Sequence, residues 1–326
     1  MIKNGGFPFK VFCTLYDSCV CSILEYGGEI FGYKSYDSAL QIYIRAARSF
    51  LGVPKNASTH GIISEMNQLL PQYRNHIKMI RQYHRLLNSK NTNICKKVFL
   101  WDERLNEGDL VNTWYSEIRN IFHENDLSHI FTNESIFEIK STVDAFKKKM
   151  LKKEQNEMQT ECNLKPKLRT FVQFKNFFET PNYITKPLSF IQRKFLAKLR
   201  LGCLELRLET GRWARPKQPV EARTCQVCEN QGANIENESH FLFYCQKYRT
   251  EREKWLSKLD IPDIFLNLPD VEKLNLVLNQ HSNVKHTAQF IIVSFDIRSK
   301  AVNKLPMYNP FHLVPHDQCP ACHPVQ

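Results

Sequence analysis

Residues 223–259, RTCQVCENQGANIENESHFLFYCQKYRTEREKWLSKL, decide how this chain is read. Within them Cys225, Cys228, His240 and Cys245 stand in the spacing C-x2-C-x11-H-x4-C. Two thiolates sit on a tight turn, and a polar connector leads to an imidazole and a third thiolate. Soft and borderline ligands in this pattern point to zinc held tetrahedrally, and four protein ligands leave no coordination position for a catalytic water. The site is expected to fold the chain and not to catalyse. The competing reading makes Cys228 and Cys245 ordinary buried cysteines at an accidental spacing. Downstream, Phe241, Tyr244, Tyr248, Trp255 and Leu259 form an apolar stripe of helical period, which predicts one helix from near Glu238. Its other side carries Lys247, Arg249, Arg252 and Lys254 and is expected to be solvated.

The run Arg223-Thr-Cys-Gln-Val-Cys228, then Glu238-Ser-His-Phe-Leu-Phe-Tyr-Cys245-Gln-Lys-Tyr248 followed by Arg252, resembles the zinc-binding tail of reverse transcriptases from non-LTR (LINE-type) retrotransposons. Phe195-Leu-Ala-Lys-Leu-Arg200, with Leu206 to Gly211-Arg-Trp213, resembles the basic helical stretch before that tail. Leu24-Glu-Tyr-Gly-Gly-Glu-Ile-Phe-Gly32, with Phe50-Leu-Gly-Val53, resembles the region just downstream of the polymerase palm. The resemblance covers most of residues 9 to 260, and only the Cys/His part is specific enough to stand alone. It implies a C-terminal portion of such a polyprotein, with thumb-side helices, a basic block and a CCHC knuckle. The function it implies is RNA or DNA binding without polymerase activity.

The absence of catalytic motifs agrees with that reading. A palm holds two magnesium ions on adjacent aspartates, because in-line phosphoryl transfer needs both charges clamped. No Asp-Asp pair occurs in the sequence, nor a Walker glycine loop, a His-Glu-x-x-His motif or a Gly-x-Ser-x-Gly elbow. No enzyme activity is expected.

Charge is concentrated. Lys140 to Arg223 holds 20 lysines and arginines against 8 acidic residues, a net +12 that equals the charge of the whole chain. Such a block beside a zinc knuckle is the electrostatic footprint of a nucleic-acid binder. Arg169, Lys175, Arg193, Lys194, Lys198, Arg200 and Arg212 are the candidate phosphate contacts, interleaved with Phe171, Phe174, Phe177, Phe178 and Trp213. Those aromatics serve either as core or, if exposed, as stacking platforms. The lysine run 147–149, with Lys152 and Lys153, reads as a phosphate-contacting patch, a nuclear address or a solvated helix face.

The composition, 42% hydrophobic and 24% charged, is that of a globular chain, and 326 residues suffice for two domains. The fold class is mainly α. Helical, bundle-like blocks are expected over 9–160, a basic helical block over 164–222, the knuckle and its helix over 223–260, a helical end over 261–304 and a disordered tail over 305–326. In the first block, Val11, Leu15, Cys19 and Ile23 lie beside Phe12, Tyr16, Val20 and Leu24 as two core stripes. Ser58 or Thr59 caps a later helix, and another begins beyond Pro71. His76 and His84 stand eight residues apart with no ligand set near them and read as packed or surface histidines. The tail's Cys319-Pro-Ala-Cys322-His323 has the form of a haem attachment site but no supporting context.

Eleven cysteines without an export signal, and no stretch of about 18–20 apolar residues, predict an intracellular protein, nuclear or cytoplasmic, that is not secreted and has no membrane partner. A zinc-stabilised helical scaffold that binds a protein partner is the alternative to nucleic-acid binding.

Overall fold

The computed structural model describes residues 7–107, 113–132, 138–228 and 234–303. These are mainly helical, and among them the only β pairing is an isolated antiparallel bridge between Thr224 and Ile235. The tail from 304 onward, with Cys319, Cys322 and His323, lies outside the described residues. The chain divides into two compact units, one of residues 1–205 with 258–288 and the other of 206–257 with 289–326. This division differs from the consecutive blocks expected from the sequence: the break falls at Leu206, and the polypeptide returns to the first unit after leaving it.

In the first unit, α1 (Phe9–Leu15) continues through a π-helical turn, Tyr16–Cys21, into Ser22–Leu24. Tyr16 and Cys21 are buried, whereas Val11, Leu15, Cys19 and Ile23 are exposed, so the stripe they form is no core face. Helix α2 (Asp37–Leu51) buries Tyr43, Ile44, Ala47, Phe50 and Leu51, and ends on Gly52 at φ 68°. The left-handed conformation requires a residue without a Cβ clash, and a Cβ there would also lie 2.9 Å from the Lys194 stem. Ser58 caps α3 (Thr59–Met66) by accepting from the Gly61 amide, and Pro71 opens α4 (Pro71–Leu87) at its first turn, where the missing N–H costs nothing.

Helices α4, α5 (Ile94–Glu107), α6 (Trp114–Glu124) and the 25-residue α7 (Ile139–Asn163) close around one core. Its centre is Tyr83, stacked on Phe131 at 5.0 Å and edge-on to Phe99 and Phe122. His76 packs here too, buried against Phe146, and burial followed by the nearby Lys153 charge lowers its pKa to about 4. Helix α8 (Phe190–Arg200) begins with a capping box between Ser189 and Gln192. The unit is completed by α10 (Asp270–Asn279) and the start of α11 (Val284–Asn303), with Leu274, Val277, Leu278 and Val284 buried.

The second unit contains the Cys/His segment, α9 (Arg249–Leu256) and the rest of α11. Trp255 stacks flat on Phe290 with ring centres 4.3 Å apart and planes 8° from parallel, and Phe241 meets Tyr248 edge-on at 5.2 Å. The single helix expected from Glu238 is instead a π turn (His240–Tyr244), a 3-10 turn (Gln246–Tyr248) and α9. The chain bends at Cys245, which is extended at ψ 120° and carries its thiol inward, so Tyr244 leaves the stripe and becomes exposed.

Candidate metal centre and cationic surface

Two short pieces of backbone bring the four candidate ligands together. The bridge at Thr224 and Ile235, with Cys225 N–H donating to Asn234 O (3.0 Å) and Glu236 N–H to Arg223 O (3.0 Å), fixes the strand-like entry to the Cys225–Cys228 turn. On the other side, Asn237 caps the π turn, its side-chain oxygen accepting from the His240 amide at 2.8 Å. The Cys245 amide closes that turn on the His240 carbonyl at 2.8 Å.

The outcome is a cluster in which one ligand atom from each of Cys225, Cys228, His240 and Cys245 lies within 4.8 Å of every other. The Cys245 sulfur stands 3.9 Å from that of Cys225 and 3.9 Å from that of Cys228, far beyond the roughly 2 Å of a disulfide. The sequence spacing singles out these four, and the structure brings all of them together. The donor set is compatible with a metal ion. His240 Nε2 is buried without a hydrogen-bond partner, a condition that metal ligation would relieve. The thiols are electrostatically linked: the hydrogen bond from Cys245 holds the Cys225 thiol well below its ordinary value, and that same bond, with burial, pushes Cys245 up.

The residues supporting the cluster were not legible in the sequence. Glu236 is buried with one oxygen 3.9 Å from the Cys225 sulfur. It accepts from Nε and one terminal nitrogen of Arg298, each at 2.7 Å, and from the Arg207 amide at 2.6 Å. A carboxylate this constrained can hold the Cys225 thiol in place. Arg252, expected on a solvated face, is instead buried and donates to the carbonyls of Leu242 (2.8 Å) and Cys245 (2.6 Å). Arg223 reaches the other way, bonding the carbonyls of Leu208 (2.9 Å) and Gln218 (2.8 and 3.1 Å), so the loop between them is held beside the Cys225 strand. Gly211 lies beneath that arginine; a Cβ there would come 2.7 Å from Arg223 Cγ.

The seven proposed phosphate contacts divide sharply. Arg193 (2% exposed), Arg200 (1%) and Lys175 are buried and cannot reach a phosphate from where they sit. Arg200 forms a two-pronged pair with Glu65 at 2.9 and 3.0 Å, and also donates to the Leu278 carbonyl and Asn279 Oδ1. Lys175 lies 3.9 Å from the same carboxylate and bonds the Glu179 carbonyl, while burial lowers its pKa to about 8. Arg193 donates to the carbonyls of Phe50 and Phe7 and covers the Phe50 ring at 4.0 Å. Basic residues on the inner face of α8 therefore spend their charge inside the fold, where a guanidinium can satisfy several carbonyls at once.

Arg169, Lys194, Lys198 and Arg212 are half-buried, with Lys198 3.8 Å from Glu205 and Arg212 3.5 Å from Glu209. Among the aromatics, Phe171, Phe174 and Phe177 are core, whereas Phe178 and Trp213 are exposed, Trp213 at 71%. Arg215 and Lys217, which follow Trp213, are exposed as well, as are Lys147, Lys148, Lys152 and Lys153 on α7. Among the described residues no helix is long and apolar enough to cross a membrane. No family model, curated protein or solved structure matches this chain.

Proposed function

We propose that this chain is a zinc-stabilised, non-catalytic nucleic-acid binder, of the kind found downstream of the palm in LINE-type reverse transcriptases. Cys225, Cys228, His240 and Cys245 would hold the zinc, whose chemistry here is structural. Thiolates about 2.3 Å from a tetrahedral zinc stand about 3.8 Å apart, close to the 3.9 Å sulfur separations of Cys245. The observation that carries the nucleic-acid reading is Trp213. A bulky ring left 71% exposed among Arg212, Arg215 and Lys217 is the arrangement that stacks on a base while neighbouring cations take the phosphates. Its loop is tied by Arg223 to the strand that supplies Cys225, so the ordering of the metal site and the presentation of the ring are one device.

The test uses the full chain, because a piece cut near 160 and 260 takes residues from both units. Anisotropy titrations of labelled single-stranded RNA and DNA are expected to show affinity falling with salt. Trp213→Ala should weaken binding by about 1–3 kcal/mol, and Arg215→Ala/Lys217→Ala should flatten the log–log salt slope by about one for each phosphate no longer neutralised. Wild-type affinity weaker than about 100 μM at low salt, or independent of salt, removes this reading. A scaffold that binds a protein partner is the second reading; the exposed stripe of Val11, Leu15, Cys19 and Ile23 favours it.

A further inference from the structure

A second cationic site lies in the first unit, where Lys147 from the start of the basic block meets three cations that the sequence did not single out. Arg74, Lys78 and Arg81 stand at i, i+4 and i+7 of α4, one face of the helix. With Lys147 of α7, Glu25 and Asn67 they line a cavity of about 420 Å³, within the size range of small-ligand sites. The walls are fixed. Lys78 Nζ bonds the Glu25 carbonyl at 2.7 Å, and Asn67, at φ 47°, accepts from Gln155 of α7 at 2.9 Å.

Charge balance gives the site its sign. Arg74 is matched by Asp17 and Glu25, each at 2.7 Å, and Lys78 shares Glu25 at 3.2 Å. Arg81 and Lys147 are exposed and make no ion pair among the described residues. Four cations therefore face two carboxylates, an excess of two. The polar cleft of about 500 Å³ elsewhere in this unit offers no such excess, because its Lys175 and Arg200 both face Glu65 and Glu179 and Glu272 line it.

We infer that the cleft between α4 and α7 binds a phosphate group, with Arg81 and Lys147 as its ligands and Arg74 and Lys78, held by Glu25, as its positively charged floor. An excess of two matches a terminal phosphate, which carries about −1.5 to −2 at neutral pH, and also accommodates an internal phosphodiester. The inference uses the first unit alone and does not depend on Trp213.

Calorimetric titration of the full chain with inorganic phosphate, with a nucleoside 5′-monophosphate and with a single-stranded oligonucleotide lacking terminal phosphates tests it and separates the two sources. Binding of the first two identifies a terminal phosphate, and binding of the oligonucleotide alone, measured in a Trp213→Ala/Arg215→Ala/Lys217→Ala chain so that the other surface does not contribute, identifies a diester. In either case Arg81→Ala/Lys147→Ala should weaken the affinity at least about tenfold, Arg81→Lys/Lys147→Arg should restore most of it, and Trp213→Ala should leave the inorganic phosphate titration unchanged. In the wild-type chain, saturating ligand should also shield Lys147 from acetylation. Unaltered affinity in the alanine pair, an unshielded Lys147, or no saturable binding of any probe below about 10 mM overturns the assignment.

Discussion

Arg223 donates from two nitrogens to the carbonyl of Gln218, at 2.8 and 3.1 Å, while its third reaches Leu208. One buried side chain thus spans both ends of the loop that displays Trp213, two positions before a cysteine of the Cys/His cluster. Arg223→Lys retains the charge but cannot bridge two carbonyls with a planar fork. It should cost about 2–3 kcal/mol and free the Trp213 ring, seen as lower fluorescence anisotropy against a Trp213→Phe control. Gly211→Ala, which pushes on the Arg223 stem, should act in the same direction.

Metal content is the most direct measurement. The purified chain should carry one zinc equivalent, and Cys228→Ser should lose most of it, because metal affinity and local folding are one free energy in such sites. Chelation should expose Cys225, Cys228 and Cys245 to thiol reagents together. Less than about half an equivalent, or unchanged content in Cys228→Ser, contradicts the assignment.

The Glu65–Arg200 pair should behave as structure and not as a phosphate contact. Burial works to raise the Glu65 carboxyl, and Arg200 with Lys175 overcomes it and holds the pKa below the ordinary value. A depressed carboxyl contributes stability that is present above its unfolded value and is lost as pH falls through the folded one. Removing one partner should cost about 3–5 kcal/mol, and Glu65→Leu/Arg200→Met should cost less than either single change. Urea unfolding of the three variants at pH 7 and pH 4 checks this, and the cost of Glu65→Leu should shrink at pH 4.

Glu154 sets the opposite pH limb. Burial pushes its carboxyl up to about 8, against the Leu70 backbone hydrogen bond that lowers it, and one of its oxygens has no hydrogen-bond partner. The raised value means that stability is fully present below the unfolded value and is lost as pH rises towards 8. Over that span the loss from this one group is about 3–5 kcal/mol. Glu154→Gln should therefore match the wild type near pH 4.5 and exceed it at pH 8, in paired urea titrations.

The sequence made the Cys/His cluster legible because such spacing is local: His240 and Cys245 are joined by a single turn and Cys225 and Cys228 by another. Helix ends were legible for a similar reason, since Ser58 and Pro71 act on their own neighbours. What escaped was long-range. Glu236 finds Arg298 from 62 positions away, and Arg200 finds Glu65 from 135, with no periodicity to announce either. For the same reason a block of net +12 read as one surface, although its arginines on α8 face inward. The outward stripe of α1 misled in the other direction, because apolar period reports a helix but not what covers it.

The division of the chain also bears on how it is made. Arg200 takes its last acceptors from Leu278 and Asn279, 78 and 79 residues further on, and the whole first stretch of the other unit, 206–257, is translated in between. At about 5–20 residues per second, roughly 4–16 s pass before those acceptors exist. Until then Arg200 can be buried only at the cost of leaving part of its hydrogen bonding unmet, and a chain that stops short of residue 278 never gains those acceptors. Closure of the first unit thereby waits until synthesis has run past 206–257, and a product truncated before residue 278 should unfold at a lower urea concentration than the full chain.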